Sequence, residues 1–303
     1  MPPEADRAAD PTALFEALRP RLEGIAYRMT GSVSDAEDLC QEAWLRWSSV
    51  DPSEVENPEA FLVVTVSRLA IDRQRRTARR RETYVGPYLP EPIVGAPTLG
   101  GSTGGGLDPA DQAELADSLT YAFLVVLDQL SPVERAVLLL HDVFRYPFDE
   151  VAAAVDRSPA AVRQIASRSR RKVADGPRPL PRVGDQQVFE TLGGLLAGIA
   201  SGDVVAVMAY LAPDVVELSD GGALRRAARR PVVGADRVAR VLVNLAKRNT
   251  HLSIRFVEVN ARPGMLFSDG DEPFMVMTAD IDEHGRIVRL FSQLNPEKLT
   301  HLR

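Results

Sequence analysis

Arginine is concentrated in two stretches of this chain, and a guanidinium suits one chemistry above others: holding phosphate. Residues 68–81 carry seven arginines against one aspartate in fourteen positions. Residues 158–172 carry Arg163, Arg168, Arg170, Arg171 and Lys172 with no acid. The whole chain has a net charge of −6, so this clustering is not general basicity. Cations gathered on helices mark a nucleic-acid binder, because neutralising phosphates releases counterions. Two separated basic helices suggest two contacts with one duplex. In the second, Arg163, Gln164, Ser167 and Arg168 share one helical face, where Arg can read guanine and Gln adenine at about 1–3 kcal/mol per bidentate pair. Arg170, Arg171 and Lys172 lie farther along and suit phosphates. The plain alternative is a solvated basic helix, and for 68–81 the helix dipole alone would favour arginines at the end.

The elements that must position these side chains divide into three units. The first, about 11–83, reads as all helix. Leu14, Leu18, Leu22 and Ile25 give one apolar face, and Ser34-Asp-Ala-Glu37 looks like a capping box opening a second helix. That helix puts Ala36, Leu39, Cys40, Ala43, Trp44 and Trp47 on one stripe, leaving Asp35, Asp38, Gln41, Glu42, Leu45 and Arg46 outside. An exposed Leu among ordered acids suits a protein partner, although single exposed apolar residues are common. Asn57-Pro58 caps a third helix, apolar early and basic late.

A linker at 84–110 follows; residues 86–110 hold twelve Gly or Pro in twenty-five positions, too many for a packed core. The middle unit, 111–176, has a helical start at 115–130 and a cap with Pro at Ser131-Pro-Val-Glu134. The helix that follows is expected to bury Val133, Ala136, Val137, Leu140, Val143 and Phe144. A short helix at 149–155, a turn at Asp156-Arg157, and a basic helix capped by Ser158-Pro159 make a helix-turn-helix pattern. After a second linker at 177–184, residues 185–303 change character. Helical periodicity at 186–200 and 234–248 gives way to strand-like runs at 251–260, 274–281 and 286–294, an α+β pattern with an antiparallel sheet.

Composition narrows the functional classes. The 303 residues are 45% hydrophobic and 26% charged, as in ordinary globular proteins. Cys40 is the single cysteine, which excludes an intrachain disulfide and a multi-cysteine metal site. No metal or cofactor is expected. The first residues lack the basic start and apolar run of a signal peptide, and no apolar stretch approaches the ~20 residues of a membrane span. These features point to a cytoplasmic protein without membrane contact.

Three segments then match a known family. Asp35-Ala-Glu-Asp-Leu-Cys-Gln-Glu-Ala-Trp-Leu-Arg46 resembles the polymerase-binding helix of extracytoplasmic-function (ECF) sigma factors. Asn57-Pro-Glu-Ala-Phe-Leu with Ala70-Ile-Asp-Arg-Gln-Arg-Arg76 resembles their promoter-melting region. Residues 130–172 resemble their domain for the minus-35 element. The resemblance implies two all-α sigma domains, the second with a helix-turn-helix. It implies that Asp35, Asp38, Gln41, Glu42 and Leu45 dock on the β′ clamp helices of core RNA polymerase, with the β flap a further contact. By the same resemblance Arg68, Arg73, Arg75 and Arg76 hold promoter phosphates, and the loop at 50–57 captures a flipped minus-10 base. That loop holds Asp51, Glu54 and Glu56 but no aromatic residue, so its base contacts stay open. Arg163, Gln164, Ser167 and Arg168 would read the minus-35 element, with Arg170 and Arg171 on phosphates.

The third unit resembles the SnoaL-like branch of the NTF2-like fold, a cone of sheet and helices around a pocket. The sigma subgroup with that extension has marks of the form Trp-Leu-Pro-Glu-Pro, Asp-Gly-Gly-Gly and Asn-Pro-Asp-Lys-Leu. This chain has Tyr88-Leu89-Pro90-Glu91-Pro92, Asp220-Gly221-Gly222-Ala223 and Asn295-Pro296-Glu297-Lys298-Leu299, each one residue different. The resemblance implies a regulator held in cis, a possible small-molecule ligand in the cone, and a monomer when free. Asp220-Gly-Gly could equally be a tight turn that only needs positive φ. Two other readings stand beside this one. Catalysis in the third unit would draw on Asp220, Asp280, His251 or His284, whose spacing resembles no dyad. A conventional DNA-binding regulator would need a dimer, and no heptad zipper is present.

Overall fold

A computed structural model describes residues 10–95, 115–175 and 183–302. The glycine run at 100–106 and the proline-rich break at 176–181 lie outside these residues. Contacts divide the chain into two compact units, one of Met1–Thr77, Thr98–Ser118 and Leu127–Val173, the other of Ala78–Pro97, Leu119–Val126 and Ala174–Arg303.

The first unit is helical. Helix α1 (Pro11–Thr30) starts at Asp10, whose carboxylate accepts from Thr12 N–H, and stops at Gly31 in the left-handed region, φ 73°. Helix α2 (Val33–Trp47) starts earlier than the Ser34 capping box suggests. Extended Ser32 is the cap, and its hydroxyl accepts from Asp35 N–H at 3.1 Å, leaving Ser34 inside the first turn. The expected stripe is otherwise in the core, with Ala36, Leu39, Cys40, Ala43 and Trp47 buried. Helix α3 (Pro58–Glu82) is capped by Asn57, which accepts from Ala60 N–H at 3.1 Å.

The later part of this unit begins its regular structure at α5 (Pro132–Leu138), preceded by α4 (Tyr121–Leu127), whose residues up to Val126 belong to the other unit. Ser131 and Glu134 form a reciprocal capping box on α5. The helix continues as a π-turn, Leu139–Val143, which turns Val143 half out while Leu138 and Leu139 join Leu140 and Phe144 inside. Helix α6 (Phe148–Val155) ends at Asp156 in the left-handed region, φ 54°, and α7 (Pro159–Ala174) follows. The helix-turn-helix expectation is met.

Two buried arginines join these helices, and periodicity alone does not reveal them. Arg28, fully enclosed, donates to Ser118 Oγ, Gly24 O and Leu115 O, with its guanidinium 5.3 Å from the Phe144 ring centroid. Burial lowers its pKa to about 9. Arg135 donates to Met29 O at 2.7 Å and Leu127 O at 3.1 Å, and pairs with Asp128. Fixed forks of donors satisfy carbonyls that α-helix ends leave open.

The second unit is a six-stranded sheet with helices on one face. Helices α8 (Asp185–Ser201), α9 (Val204–Met208) and α10 (Ala235–Arg248) accompany strands β1 (Leu211–Asp220), β2 (Val232–Val233), β3 (Ser253–Val259), β4 (Arg262–Asp269), β5 (Glu272–Ile281) and β6 (Ile287–Gln293). Their order is β2-β1-β6-β5-β4-β3. The sheet is mixed rather than wholly antiparallel. Strands β3 to β6 form a meander, but β1 runs parallel to β6, because the chain returns to it only after crossing the whole sheet. Leu192, Leu195, Val238 and Leu242 from the helices pack on Val215, Met265, Met277 and Leu290 of the sheet. This layout agrees with the SnoaL-like expectation. The opposite face is also covered: Leu89, Tyr121 and Leu299 pack with Val259, Leu266, Val276 and Phe291. Val94 bridges Val259 on the edge strand, so the segment after α3 extends the sheet.

Candidate functional site

The candidate polymerase face lies on α2. Because Ala36, Leu39, Cys40 and Ala43 turn inward, Leu45 is left 66% exposed beside exposed Gln41 and Asp38. Glu42 pairs with Arg46 at 2.8 Å. Asp35 is half-buried and bound by Arg73, whose Nη1 also lies 3.8 Å from Asp38. Arg73, placed on phosphates by its position in the basic run, is thus tied to the acidic helix. Arg68 donates to Ala153 O at 2.7 Å, and Arg75 lies 3.4 Å from Asp72. Arg76 is exposed. In the 50–57 loop, Asp51 accepts from both the backbone and the hydroxyl of Ser53, which lower its pKa.

The candidate base-reading face lies on α7. Ser158 caps this helix by accepting from Ala161 N–H at 3.3 Å, while Val162, Ala166 and Ser169 face the core. Arg163, Gln164, Ser167 and Arg168 are therefore exposed together. Arg163 stacks its guanidinium 5.4 Å from the Phe148 ring centroid. Arg168 is held differently, donating to Glu134 Oε1 at 3.0 Å, and Lys172 donates to the same carboxylate at 2.8 Å. Glu134 is 3% exposed. Burial would raise its pKa, but the hydrogen bonds from Lys172 and from Ser131 outweigh it and bring the pKa to about 2. Arg170 pairs with Asp142 at 2.9 Å, and Arg171 is exposed. Sequence reading missed Glu134 as the holder of two of these cations; its capping-box position was the available signal.

The three marks of the third unit converge on one buried carboxylate. Asp220 ends β1, fully enclosed. Its Oδ1 accepts from Tyr84 Oη at 2.6 Å and Gly222 N at 3.1 Å. Its Oδ2 accepts from Leu89 N at 2.9 Å, Lys298 Nζ at 2.7 Å and Gln293 Nε2 at 3.3 Å. Lys298 also donates to Leu89 O at 2.6 Å, and its ammonium lies 3.2 Å from the Tyr88 ring centroid. Asn295 opens the turn Pro296–Lys298, accepting from Glu297 N–H, and donates to Tyr84 Oη at 2.8 Å. Burial, followed by the hydrogen bond to Asp220, raises the Tyr84 pKa.

Gly221 and Gly222 are required by contact as well as by turn geometry. A Cβ on Gly222, φ +57°, would stand 2.6 Å from Asn295 Nδ2, and one on Gly221 would stand 2.4 Å from Arg225 O. Pro90 O accepts from Gln293 Nε2 at 3.1 Å and from Tyr121 Oη at 3.0 Å. Pro92 O lies 2.7 Å from His301 Nε2, which puts the imidazole proton on that nitrogen. Leu89 and Leu299 are buried, Glu91 half-buried. The structure thus brings together all twelve residues singled out from the linker, loop and tail. Gln293, Tyr84, Tyr121 and His301 were not singled out, and for Gln293 nothing in the sequence marks it.

The residues available for catalysis stand apart. Asp280 pairs with Arg289 at 2.6 Å across β5 and β6, and burial raises its pKa. His251 and His284 are exposed on separate turns. Among the described residues no group of three or more His, Cys, Asp or Glu is placed to hold a metal ion, and no helix is long and apolar enough to cross a membrane.

Comparison with known proteins agrees with this geometry. The family pattern for sigma-70 region 2 matches residues 14–80, and that for sigma-70 region 4 matches residues 121–173. The ECF RNA polymerase sigma factor SigJ of Mycobacterium tuberculosis is 39% identical over 94% of this chain and 92% of its own length. The probable ECF RNA polymerase sigma factor SigI of the same species is 29% identical over 96% of both chains. The crystal structure of the M. tuberculosis SigJ protein covers 95% of this chain and 98% of its own, with TM-score 0.72 at 35% identity. Helices, helix-turn-helix and C-terminal sheet are all within the matched length, and the chain belongs to the extracytoplasmic-function RNA polymerase sigma factors, which bind core polymerase and recognise promoter DNA.

Proposed function

We propose that the sheet unit regulates this sigma factor in cis by holding the linker and the first helix of region 4. One observation carries the reading: Asp220, at the end of a sheet strand, accepts from linker Tyr84 and Leu89 and from tail Lys298 in one enclosed cluster. The region 4 match starts at Tyr121. That residue packs on Phe291, with ring centroids 5.8 Å apart, and donates to linker Pro90. The clasp therefore restrains the linker and α4 together. A regulator of this kind needs two arrangements separated by a few kcal/mol, and any signal must favour one of them.

In this reading, Leu45 with Gln41, Asp38, Glu42 and Asp35 forms the face for the β′ clamp helices. Arg163, Gln164 and Ser167 read the minus-35 element, Arg168 is presented by Glu134, and Arg68, Arg73, Arg75, Arg76, Arg170 and Arg171 are available for phosphates after rearrangement of their present partners. Boundaries near 11–83, 111–176 and 185–303 describe evolutionary modules, while linker 84–95 and the start of α4 serve the sheet unit. The protein acts as a non-catalytic initiation factor, beside core polymerase in the cytoplasm, and is monomeric when free.

Run-off transcription with core polymerase tests the regulation, comparing the full chain with Asp220→Asn. The expected result is increased output from the variant, with faster hydrogen exchange at the Leu89 amide. Unchanged output despite faster exchange rejects cis control by the clasp. A chain ended at 184 is a poorer comparison, because it strips the covering from Leu89, Tyr121 and Val94.

A further inference from the structure

Native cores are close-packed, and voids larger than a few waters are uncommon. The sheet unit nevertheless holds a cavity of about 530 Å³ between α8, α10 and strands β3 to β5. That volume is in the range of small-molecule sites. Leu196, Leu242, Phe267, Met275 and Met277 make its walls, and the two methionines can repack around differently shaped guests. Its polar side chains, Ser201, Lys247, Asn249 and Thr250, all lie where α8 and α10 end. Ser201 and Asn249 are occupied by helix carbonyls, Gly198 O and Leu245 O. Lys247 is the one charged lining residue and has no ion-pair partner among the described residues.

The charge at that rim selects the guest's polar end. Two helix C-termini bring about half a negative charge each, against one positive charge on Lys247. The sum is near zero, so neither a carboxylate nor an ammonium is favoured. Helix-end carbonyls can accept a hydrogen bond and Lys247 can donate one, which suits a hydroxyl.

A second set of contacts leads from this cavity to the clasp. Phe274 lines the cavity, and the Arg225 guanidinium lies 3.9 Å from its ring centroid while donating to Phe274 O at 2.6 Å. Arg225 N donates to Gly221 O at 3.0 Å, and Gly221 follows Asp220 directly. Ring position at Phe274 is thereby linked to the loop that places the Asp220 carboxylate.

We propose that this cavity is a sensor site for an apolar, uncharged molecule with a single hydroxyl, an alcohol or phenol, and that Arg225 relays its occupancy to the Asp220 clasp. The relay rests on the cis-regulation reading; the binding does not. The full chain is titrated by calorimetry with 1-naphthol, and in parallel with 1-naphthoate and 1-naphthylmethylammonium. Saturable 1-naphthol binding is expected, at least tenfold tighter than either charged analogue. Ile199→Trp, at a half-buried wall position, should weaken it tenfold or more without changing the thermal midpoint; should that variant not fold, Lys247→Ala at the exposed rim should weaken 1-naphthol binding severalfold. No saturable binding, or tighter binding of a charged analogue, overturns the site. Bound 1-naphthol should also change exchange at the Leu89 amide in the native chain but not in Arg225→Ala, which keeps its affinity. An equal change in both overturns the relay. If Asp220→Asn leaves transcription unaltered while 1-naphthol still binds, the regulatory reading fails and the site stands.

Discussion

Asp220 and Glu134 are both buried carboxylates that hold cations, yet they hold them in opposite ways. Asp220 encloses its lysine: Lys298 is 7% exposed, and neutral donors from three segments fill the remaining lone pairs. Glu134 keeps its lysine and arginine at the surface, with side chains 45% and 64% exposed. A charge taken out of water must be fully compensated, so the first cluster is specific and costly to break. The second anchors one end of each cation and leaves its outer edge to solvent, where phosphates or bases can compete for it. One carboxylate closes a structure; the other presents a surface.

The sharpest way to break this contrast is Asp220→Asn, which leaves Lys298 buried without its counter-charge. A loss of about 3–5 kcal/mol in sheet-unit stability is expected, read by urea denaturation and by exchange at Leu89. A loss under 1 kcal/mol would mean that the two carboxylates are energetically alike. Arg163→Ala comes next: a base contact on the exposed face should be worth about 1–3 kcal/mol of promoter discrimination, measured by competition among minus-35 variants with the holoenzyme. Uniform weakening across those variants would move Arg163 to a phosphate role.

Acid titration examines Glu134 directly. Its pKa is lowered in the folded chain to about 2 from an ordinary 4.5. Its contribution is therefore complete above pH 4.5 and lost as the pH falls toward 2. Glu134→Gln should remove that part of the acid dependence of unfolding, measured on the chain between those limits. The smallest stability effect is expected from Leu45→Asp, under about 0.5 kcal/mol since the side chain is exposed. Its binding to core polymerase, measured by fluorescence anisotropy, should nevertheless weaken more than tenfold; unchanged affinity removes this face from the polymerase contact.

The same contrast explains what could be read in advance. The α7 face was legible because helical spacing alone separates Val162 and Ala166 from Arg163, Gln164 and Ser167. Caps at Asn57, Ser131 and Ser158 were legible because a side-chain oxygen before a helix has one obvious use. The Ser32 cap was missed because Ser34 offers the same local pattern two residues later, and backbone conformation decides between them. Strand β1 was missed because Pro213 and Asp214 interrupt its alternation, and its parallel partner lies more than seventy residues on. Buried Arg28 and Arg135 carry no local sign at all, since their acceptors are backbone carbonyls from distant segments. The linker, loop and tail were recognised as motifs, but only proximity shows that they serve a single carboxylate.

The clasp also sets an order of events during synthesis. Lys298 and Leu89 are 209 residues apart. At about 5–20 residues per second, the ribosome adds Leu89 roughly 10–40 s before Lys298. Both sigma regions are thus made before the latch that restrains their linker is complete, and every new molecule passes through an unlatched interval whose length is set by translation speed.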